Sequence, residues 1–169
     1  VYAKIAGQAR TADPISLEFT HMLSKIEVVL VKGAGVSDIT SAEILNTKLK
    51  AVFTPSKTAD FSVATDNAET IADSNPIAID CEATPQADAS DDNKAILNEA
   101  IIVPQTLTET TEFIRINGTL IYKLPADKTF VAGKKYRYIV TANLSGLTVT
   151  SSITDWSPET GDNNGSAGM

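Results

Sequence analysis

The side chains best suited to catalysis or metal binding are one histidine and one cysteine in a chain of 169 residues. His21 has the chemistry of a general base or a metal ligand, and Cys81 that of a thiolate nucleophile. No nucleophile-elbow, zincin or phosphate-loop motif places a second reactive group beside either of them. We therefore predict that the chain is not an enzyme and has no catalytic or cofactor-binding residues. We interpret His21 as a hydrogen-bonded core or edge histidine and Cys81 as a small buried hydrophobe.

Oxygen-rich segments are the other groups with ligand chemistry, because carboxylates and amides bind calcium. Two such segments occur, "DASDDN" at residues 88–93 and "TGDNNG" at residues 160–165. Neither has the spacing, the turn glycine and the terminal glutamate of an EF-hand loop. A lone cysteine also excludes an internal disulfide and offers no partner cysteine for a zinc site. We predict that both segments are solvated loops and that the chain binds no metal.

Charge and length narrow the function classes further. The formal net charge of −7 and the pI of about 4.6 argue against nucleic acid or anionic lipid as a partner, because both attract basic surfaces. No apolar run approaches the roughly 18 residues of a membrane-spanning helix, and "VYAKIAGQAR" at the start has no signal-peptide core. The length fits one domain with a sizeable core.

The candidate functional side chains must lie on or between β-strands. β-Branched and aromatic residues alternate in runs separated by Gly, Pro, Asn and Asp, which is the pattern of an all-β chain. In "FTHMLSKIEVVLV", residues 19–31, the apolar residues change from odd to even positions. Phe19 and Leu23 should therefore face one side of this strand, and the series from Ile26 to Leu30 the other. Because side chains of a strand alternate strictly, we expect a bulge or bend at Ser24–Lys25.

The remaining elements are also predicted from local pattern. "VSDITSAEILN", residues 36–46, is the one helix candidate, a turn or two long. "KLKAVFT" and "FSVAT" should form two short paired strands, and Pro104 in "AIIVPQTL" should lie at an edge, bulge or strand end because it lacks an amide hydrogen. Asn117–Gly118 and Ser145–Gly146 should be the turns of two hairpins.

Four segments taken together resemble blocks of a known family, in the order "FTHMLSKIEVVL", "AIIVPQTL", "FVAGKKYRYIVT" and "SSITDW". They are similar to the fimbrillins of the Bacteroidales, which are type V pilins of major and minor fimbriae. The matching residues are Phe19, His21, Leu23, Ser24, Lys25, Val103, Pro104, Gln105, Ala132, Gly133, Lys134, Tyr136, Tyr138, Ile153, Asp155 and Trp156. The usual precursor has a lipobox cysteine and two sandwich domains, whereas this sequence has neither a lipobox nor the length for two domains. We therefore expect it to correspond to the C-terminal domain of that family.

The resemblance and the alternation together predict an all-β fold. We expect a transthyretin-like, Greek-key, two-sheet β-sandwich of about seven strands with at most one short helix. Residues 1–14 would be an N-terminal connecting segment, residues 15–156 the fimbrillin-like β-sandwich domain, and residues 157–169 a flexible C-terminal tail.

The resemblance also implies a function, that of a structural subunit of cell-surface fimbriae which assembles by β-strand addition and supports adhesion. The segment expected to join subunits is the C-terminal strand "LTVTSSITDW", through Leu147, Val149, Ile153 and Trp156. Partners would be other fimbrial subunits and host glycan or protein, and the exported precursor would be lipid-anchored to the outer membrane. The alternative is a surface glycan- or host-protein-binding β-sandwich module that does not polymerise.

Overall fold

The computed structural model describes residues 3, 5, 7, 9–10, 14–17, 19–33, 35–48, 52–54, 62–64, 77–79, 87–88 and 97–156. Its secondary structure in these ranges is entirely β, so the all-β prediction is confirmed. The strands are β1 (Ser24–Lys32), β2 (Ala42–Ile44), β3 (Val52–Thr54), β4 (Ser62–Ala64), β5 (Ile77–Ile79), β6 (Ala87–Asp88), β7 (Leu97–Ile102), β8 (Gln105–Leu107), β9 (Glu112–Ile116), β10 (Leu120–Lys123), β11 (Lys128–Phe130), β12 (Lys134–Asn143) and β13 (Gly146–Asp155). Six of these thirteen described strands have four or more residues, and the others are short pairings of two or three residues.

Two larger sheets organise the fold. The five-stranded sheet runs β13-β12-β1-β6, and β7 also pairs with β1. The four-stranded sheet runs β10-β9-β2-β5, while β8 pairs with β11 and β3 with β4 in two small sheets. The pair β1 and β12 is parallel, whereas β12 and β13 are antiparallel over their whole length. The central strand of the larger sheet is thus joined to partners that lie far apart in the sequence.

Aromatic side chains connect the two larger sheets in one buried core. Phe113 on β9 lies 5.2 Å, ring centroid to centroid, from Tyr138 on β12. Phe113 also lies 5.5 Å from Phe130 on β11, which in turn lies 4.8 Å from Tyr136. Buried apolar residues of β1, β2, β9 and β12 belong to the same cluster. The two larger sheets therefore share one buried layer of side chains.

The change of parity in residues 19–31 coincides with a bend at Leu23, one position before the predicted bulge or bend at Ser24–Lys25. The chain bends at Leu23, and β1 begins only at Ser24, where the side chain hydroxyl donates to the carbonyl of Val131 at 2.8 Å. The even-numbered series from Ile26 to Leu30 is buried as predicted, whereas Phe19 is 56% exposed. The two apolar series therefore belong to two segments separated by a bend.

The predicted short helix at residues 36–46 is wrong. Residues 36–41 have no regular structure, and Ala42–Ile44 form β2 between β5 and β9. Arg115 Nε on β9 donates to Glu43 Oε2 at 2.6 Å, and this hydrogen bond lowers the pKa of the Glu43 carboxyl. Burial of Ala42 and Ile44 between sheets outweighs the weak helical preference of the segment.

Both predicted hairpins occur. Asn117 and Gly118 have φ of 49° and 70° and connect β9 to β10, which confirms that turn. In the second hairpin Asn143 pairs with Gly146, so the connecting residues are Leu144 and Ser145, one position earlier than predicted. Leu144 is consequently exposed in the turn rather than part of the apolar series of β12.

Two further local predictions agree with the fold. The predicted pairing of "KLKAVFT" with "FSVAT" is confirmed by the antiparallel pair β3 and β4. Pro104 lies between β7 and β8, as its missing amide hydrogen requires. In the part of the chain that the structure describes, no helix has the length and apolar character needed to cross a membrane. Cys81 and residues 157–169 lie outside the described residues.

Candidate assembly surface

The C-terminal strand β13 is the edge strand of the five-stranded sheet. It pairs with β12 through ten consecutive residues, from Asn143 opposite Gly146 to Lys134 opposite Asp155. Among the described residues no strand pairs with its other edge. Such an edge presents backbone donors and acceptors to any strand that can lie beside it.

The backbone groups at this free edge can be assigned from the pairing. Trp156 N–H donates to the Gly133 carbonyl at 2.8 Å, one position beyond the pair Lys134–Asp155. In an antiparallel pair, successive residues direct their backbone groups alternately toward and away from the partner strand. Even-numbered residues of β13 therefore bond to β12, and the odd-numbered residues from Leu147 to Asp155 direct theirs outward.

The four side chains predicted to act in assembly do not form one apolar row. Leu147 and Val149 are partly buried and pack against the core, whereas Ile153 on the same face is 52% exposed. Trp156 follows the strand at a position of opposite parity. The structure thus brings two of the four together at the core, leaves Ile153 at the surface, and separates Trp156 from all three.

Trp156 instead stacks on His21. The two rings are nearly parallel, with an interplanar angle of 3° and centroids 3.8 Å apart, and Lys25 Nζ lies 5.9 Å from the Trp156 ring centroid. Partial burial lowers the pKa of the His21 imidazole, and the neighbouring Lys25 ammonium lowers it further. His21 therefore holds the end of the C-terminal strand against the segment before β1, a contact between residues 135 positions apart that local pattern could not indicate.

The opposite face of β13 carries exposed hydroxyl groups at every second residue. These residues are Thr148, Thr150, Ser152 and Thr154. Across the pairing register, Ser152 lies opposite Arg137 and Thr154 opposite Lys135 on β12. The β13 part of this face is therefore polar and accessible to solvent.

A buried carboxylate lies on β1 beside those two cations. Glu27 is 3% exposed, and its Oε1 lies 3.4 Å from both Lys25 Nζ and Lys135 Nζ. Its Oε2 lies 3.8 Å from Arg137 Nε. A buried charge is tolerated when several opposite charges surround it, so this cluster is a structural ion network that fixes the face beside β13.

Metal-binding geometry is absent from the part of the chain that the structure describes. Among the described residues, no group of three or more His, Cys, Asp or Glu side chains could hold a metal ion. The two oxygen-rich segments that the sequence suggested lie mostly or wholly outside the described ranges. The features with a functional geometry are thus the free edge of β13 and its two faces.

Sequence comparison links the chain to known proteins. A family model described as fimbrillin-like matches residues 1–156. A candidate fimbrium subunit, Fim1C, of Bacteroides uniformis is 26% identical over 163 residues, which cover 94% of this chain and 51% of that protein. The chain therefore spans about half the length of this curated relative.

Solved structures show the same fold. A crystal structure of a candidate cell adhesion protein from Bacteroides uniformis matches 85% of this chain and 54% of its own, with a TM-score of 0.56 and 24% identity. Another, from Bacteroides ovatus, matches 89% of this chain and 51% of its own, with a TM-score of 0.56 and 20% identity. At these identities the likeness concerns the fold.

Proposed function

The chain belongs to the fimbrillin-like family, and from that premise we propose that it is a structural subunit of cell-surface fimbriae, joined to its neighbours by β-strand addition, that supports adhesion. The observation that carries the proposal is the family match over residues 1–156. The fimbrial relative and the free edge of β13 agree with it. Structural subunits of this kind are not enzymes.

Strand β13 is the segment proposed to form the joint. Entering a groove of the next subunit, Leu147, Val149, Ile153 and Trp156 would fill apolar pockets, and each fully buried side chain contributes about 1.5–3 kcal/mol. In this chain β13 is already paired with ten residues of β12. It can therefore leave only if a groove in the neighbour replaces those backbone hydrogen bonds.

The proposed partners and location follow from the same premise. Other fimbrial subunits are the main partners, and host glycan or protein is the further one, consistent with the adhesion descriptions of the structural neighbours. We place the assembled subunit at the cell surface, with a lipid-anchored precursor at the outer membrane. Both are proposals that follow from family membership.

The alternative, a surface module that binds glycan or host protein without polymerising, has one observation in its favour. The exposed hydroxyl groups of β13 lie beside Lys135 and Arg137, and such a polar face offers hydrogen bonds to a saccharide. The proposals differ in what the full-length protein forms. Electron microscopy should show fibres if the first is right, and glycan-binding monomers if the second is right.

The joint can be tested with two aspartate variants of the full-length protein. Ile153→Asp places a charge on the side chain proposed to enter a pocket, and because Ile153 is half exposed the domain should still fold. Ser152→Asp, on the hydroxyl face, is the matched control. We expect at least a tenfold loss of fibre yield for Ile153→Asp, since about 1.4 kcal/mol already corresponds to a tenfold change. Equal fibre yields from two folded variants would exclude β13 as the joining strand.

A further inference from the structure

We propose that the free edge of β13 pairs with β13 of a second copy of the chain, in antiparallel orientation, to form a dimer with one continuous sheet. This pairing is independent of the proposed fimbrial function. It follows from the pattern of side chains and backbone groups along the edge.

The edge lacks the features that normally prevent such pairing. Strands at sheet edges are usually protected by proline, by charged side chains, by bulges or by short length. β13 has ten residues, no proline and no register shift against β12. Its one charged residue, Asp155, is the last of the strand and is ion-paired with Lys134.

Side chains satisfy backbone groups next to two short strands of the same chain. At β11, the Tyr136 hydroxyl accepts from Val131 N–H at 2.7 Å and donates to the Thr129 carbonyl at 3.0 Å. Beside β8, the Gln105 side chain accepts from Lys48 N–H at 2.8 Å and donates to the Lys48 carbonyl at 3.1 Å. Side-chain protection of backbone groups is thus present beside β8 and β11.

One register makes the strand self-complementary. Its outward backbone groups belong to odd-numbered residues, so odd residues must oppose odd residues across a new antiparallel pair. With the two-fold axis at Ser151, Val149 lies opposite Ile153 of the second copy, and Ile153 opposite its Val149. On the other face, Thr150 lies opposite Ser152, and Thr148 opposite Thr154. Apolar residues thus meet apolar residues and hydroxyls meet hydroxyls, which are favourable cross-strand pairs.

This register also covers the most exposed apolar side chain of the strand. Ile153 is half exposed in the single chain, while Val149 is only partly buried against the core. Pairing brings Ile153 of each copy beside Val149 of the other and removes apolar surface of both from water. No like charges oppose each other in this register, since Asp155 lies opposite Leu147 of the second copy.

The dimer would hold β13 in place. The strand cannot pair along its free edge and also leave the sheet to enter a groove of another subunit. A cell-surface fibre built by release of β13 would therefore grow from copies in which this dimer has dissociated.

Sedimentation velocity of this chain at concentrations from about 10 µM to about 1 mM tests the dimer. Dimers with an interface of this small size dissociate within that concentration range. The monomer mass is 17.9 kDa, and we expect the weight-average mass to rise toward twice that value. Ser151→Lys sets two ammonium groups opposite each other at the two-fold axis and should abolish the rise, with the exposed position preserving the fold. Ala126→Lys adds the same charge in an exposed loop and should dimerise normally. A wild-type chain that stays monomeric throughout, or equal behaviour of the two variants, would overturn the proposal.

The register has its own test by oxidative cross-linking. In Ser151→Cys the two introduced thiols lie directly opposite, within reach of a disulfide. In Thr154→Cys the two introduced thiols are separated by about 20 Å along the strands. We expect a covalent dimer for Ser151→Cys only, and peptide mapping should locate its disulfide between the two introduced thiols, which distinguishes it from any link through native Cys81. Cross-linking of Thr154→Cys instead, or of neither variant, would contradict this pairing.

Discussion

At the scale of single residues, Asn117 connects two parts of the chain that are far apart in sequence. Its Oδ1 accepts hydrogen bonds from the backbone N–H groups of Thr40 at 2.8 Å and Ser41 at 3.2 Å. Its Nδ2 donates to the Asp38 carbonyl at 3.1 Å. The sequence suggests Asn117 only as a turn residue, but its side chain also holds the segment that leads into β2.

The stacked pair His21 and Trp156 carries a pH prediction. Burial and the Lys25 ammonium lower the pKa of His21 in the fold, so the unfolded chain, with an ordinary pKa near 6.5, binds the proton more readily. Folding stability should therefore fall as the pH decreases from about 6.5 through the lower folded pKa, and level off below it. We expect the Tm to decline over this window, together with a change in Trp156 fluorescence.

The matched variant is His21→Phe, which keeps an aromatic ring against Trp156 but cannot titrate. It should remove the fluorescence change near the folded His21 pKa and reduce the decline in Tm, while carboxyl groups still titrate at lower pH. An unchanged fluorescence titration in this variant would assign the effect to another group.

At the scale of elements, the β9–β10 hairpin depends on the backbone conformation of Gly118. Its φ is 70°, and no atom lies within 4 Å of the position of an added Cβ. A larger residue at position 118 would therefore be strained by the positive φ of the backbone and not by a steric clash of its side chain. We expect Gly118→Val to cost about 1–2 kcal/mol of unfolding free energy, measured by urea denaturation.

Gly118→Asn is the control, because asparagine tolerates a positive φ far better than a β-branched residue. It should retain most of the stability lost in the valine variant. If both variants unfold at the same urea concentration, strain at this turn is not what stabilises the hairpin.

At the scale of the whole molecule, Phe113 joins the two larger sheets and β11. It is fully buried, and its ring contacts Tyr138 and Phe130. We expect Phe113→Ala to cost about 3–5 kcal/mol, a large part of the roughly 5–15 kcal/mol that stabilises a typical domain. Ile121→Ala removes a partly exposed side chain from the same sheet and should change stability by much less. Similar urea midpoints for the two would show that the sheets do not share one cooperative core.

Local pattern was sufficient for several features of this protein. Alternation along a strand depends only on neighbouring residues, so the buried series from Ile26 to Leu30 and the strands of both hairpins followed from the sequence. Positive φ at Asn117 and Gly118 is likewise a property of the residue types at the turn. The ordered fimbrillin-like segments, spread over most of the chain, identified the family.

Tertiary structure decided the features that depend on contacts distant in sequence. The burial of Ala42 and Ile44 between β5 and β9 turned a helix candidate into a strand, because packing outweighs a weak local preference. The stacking of Trp156 on His21 joins residues far apart in sequence. The exposure of Ile153 and the partial burial of Val149 on the same face likewise depend on tertiary packing, which alternation does not encode. The free edge of β13 was also decided by tertiary structure. The hydrophobic pattern of a strand indicates which face is buried, but it does not indicate whether another strand lies along its edge.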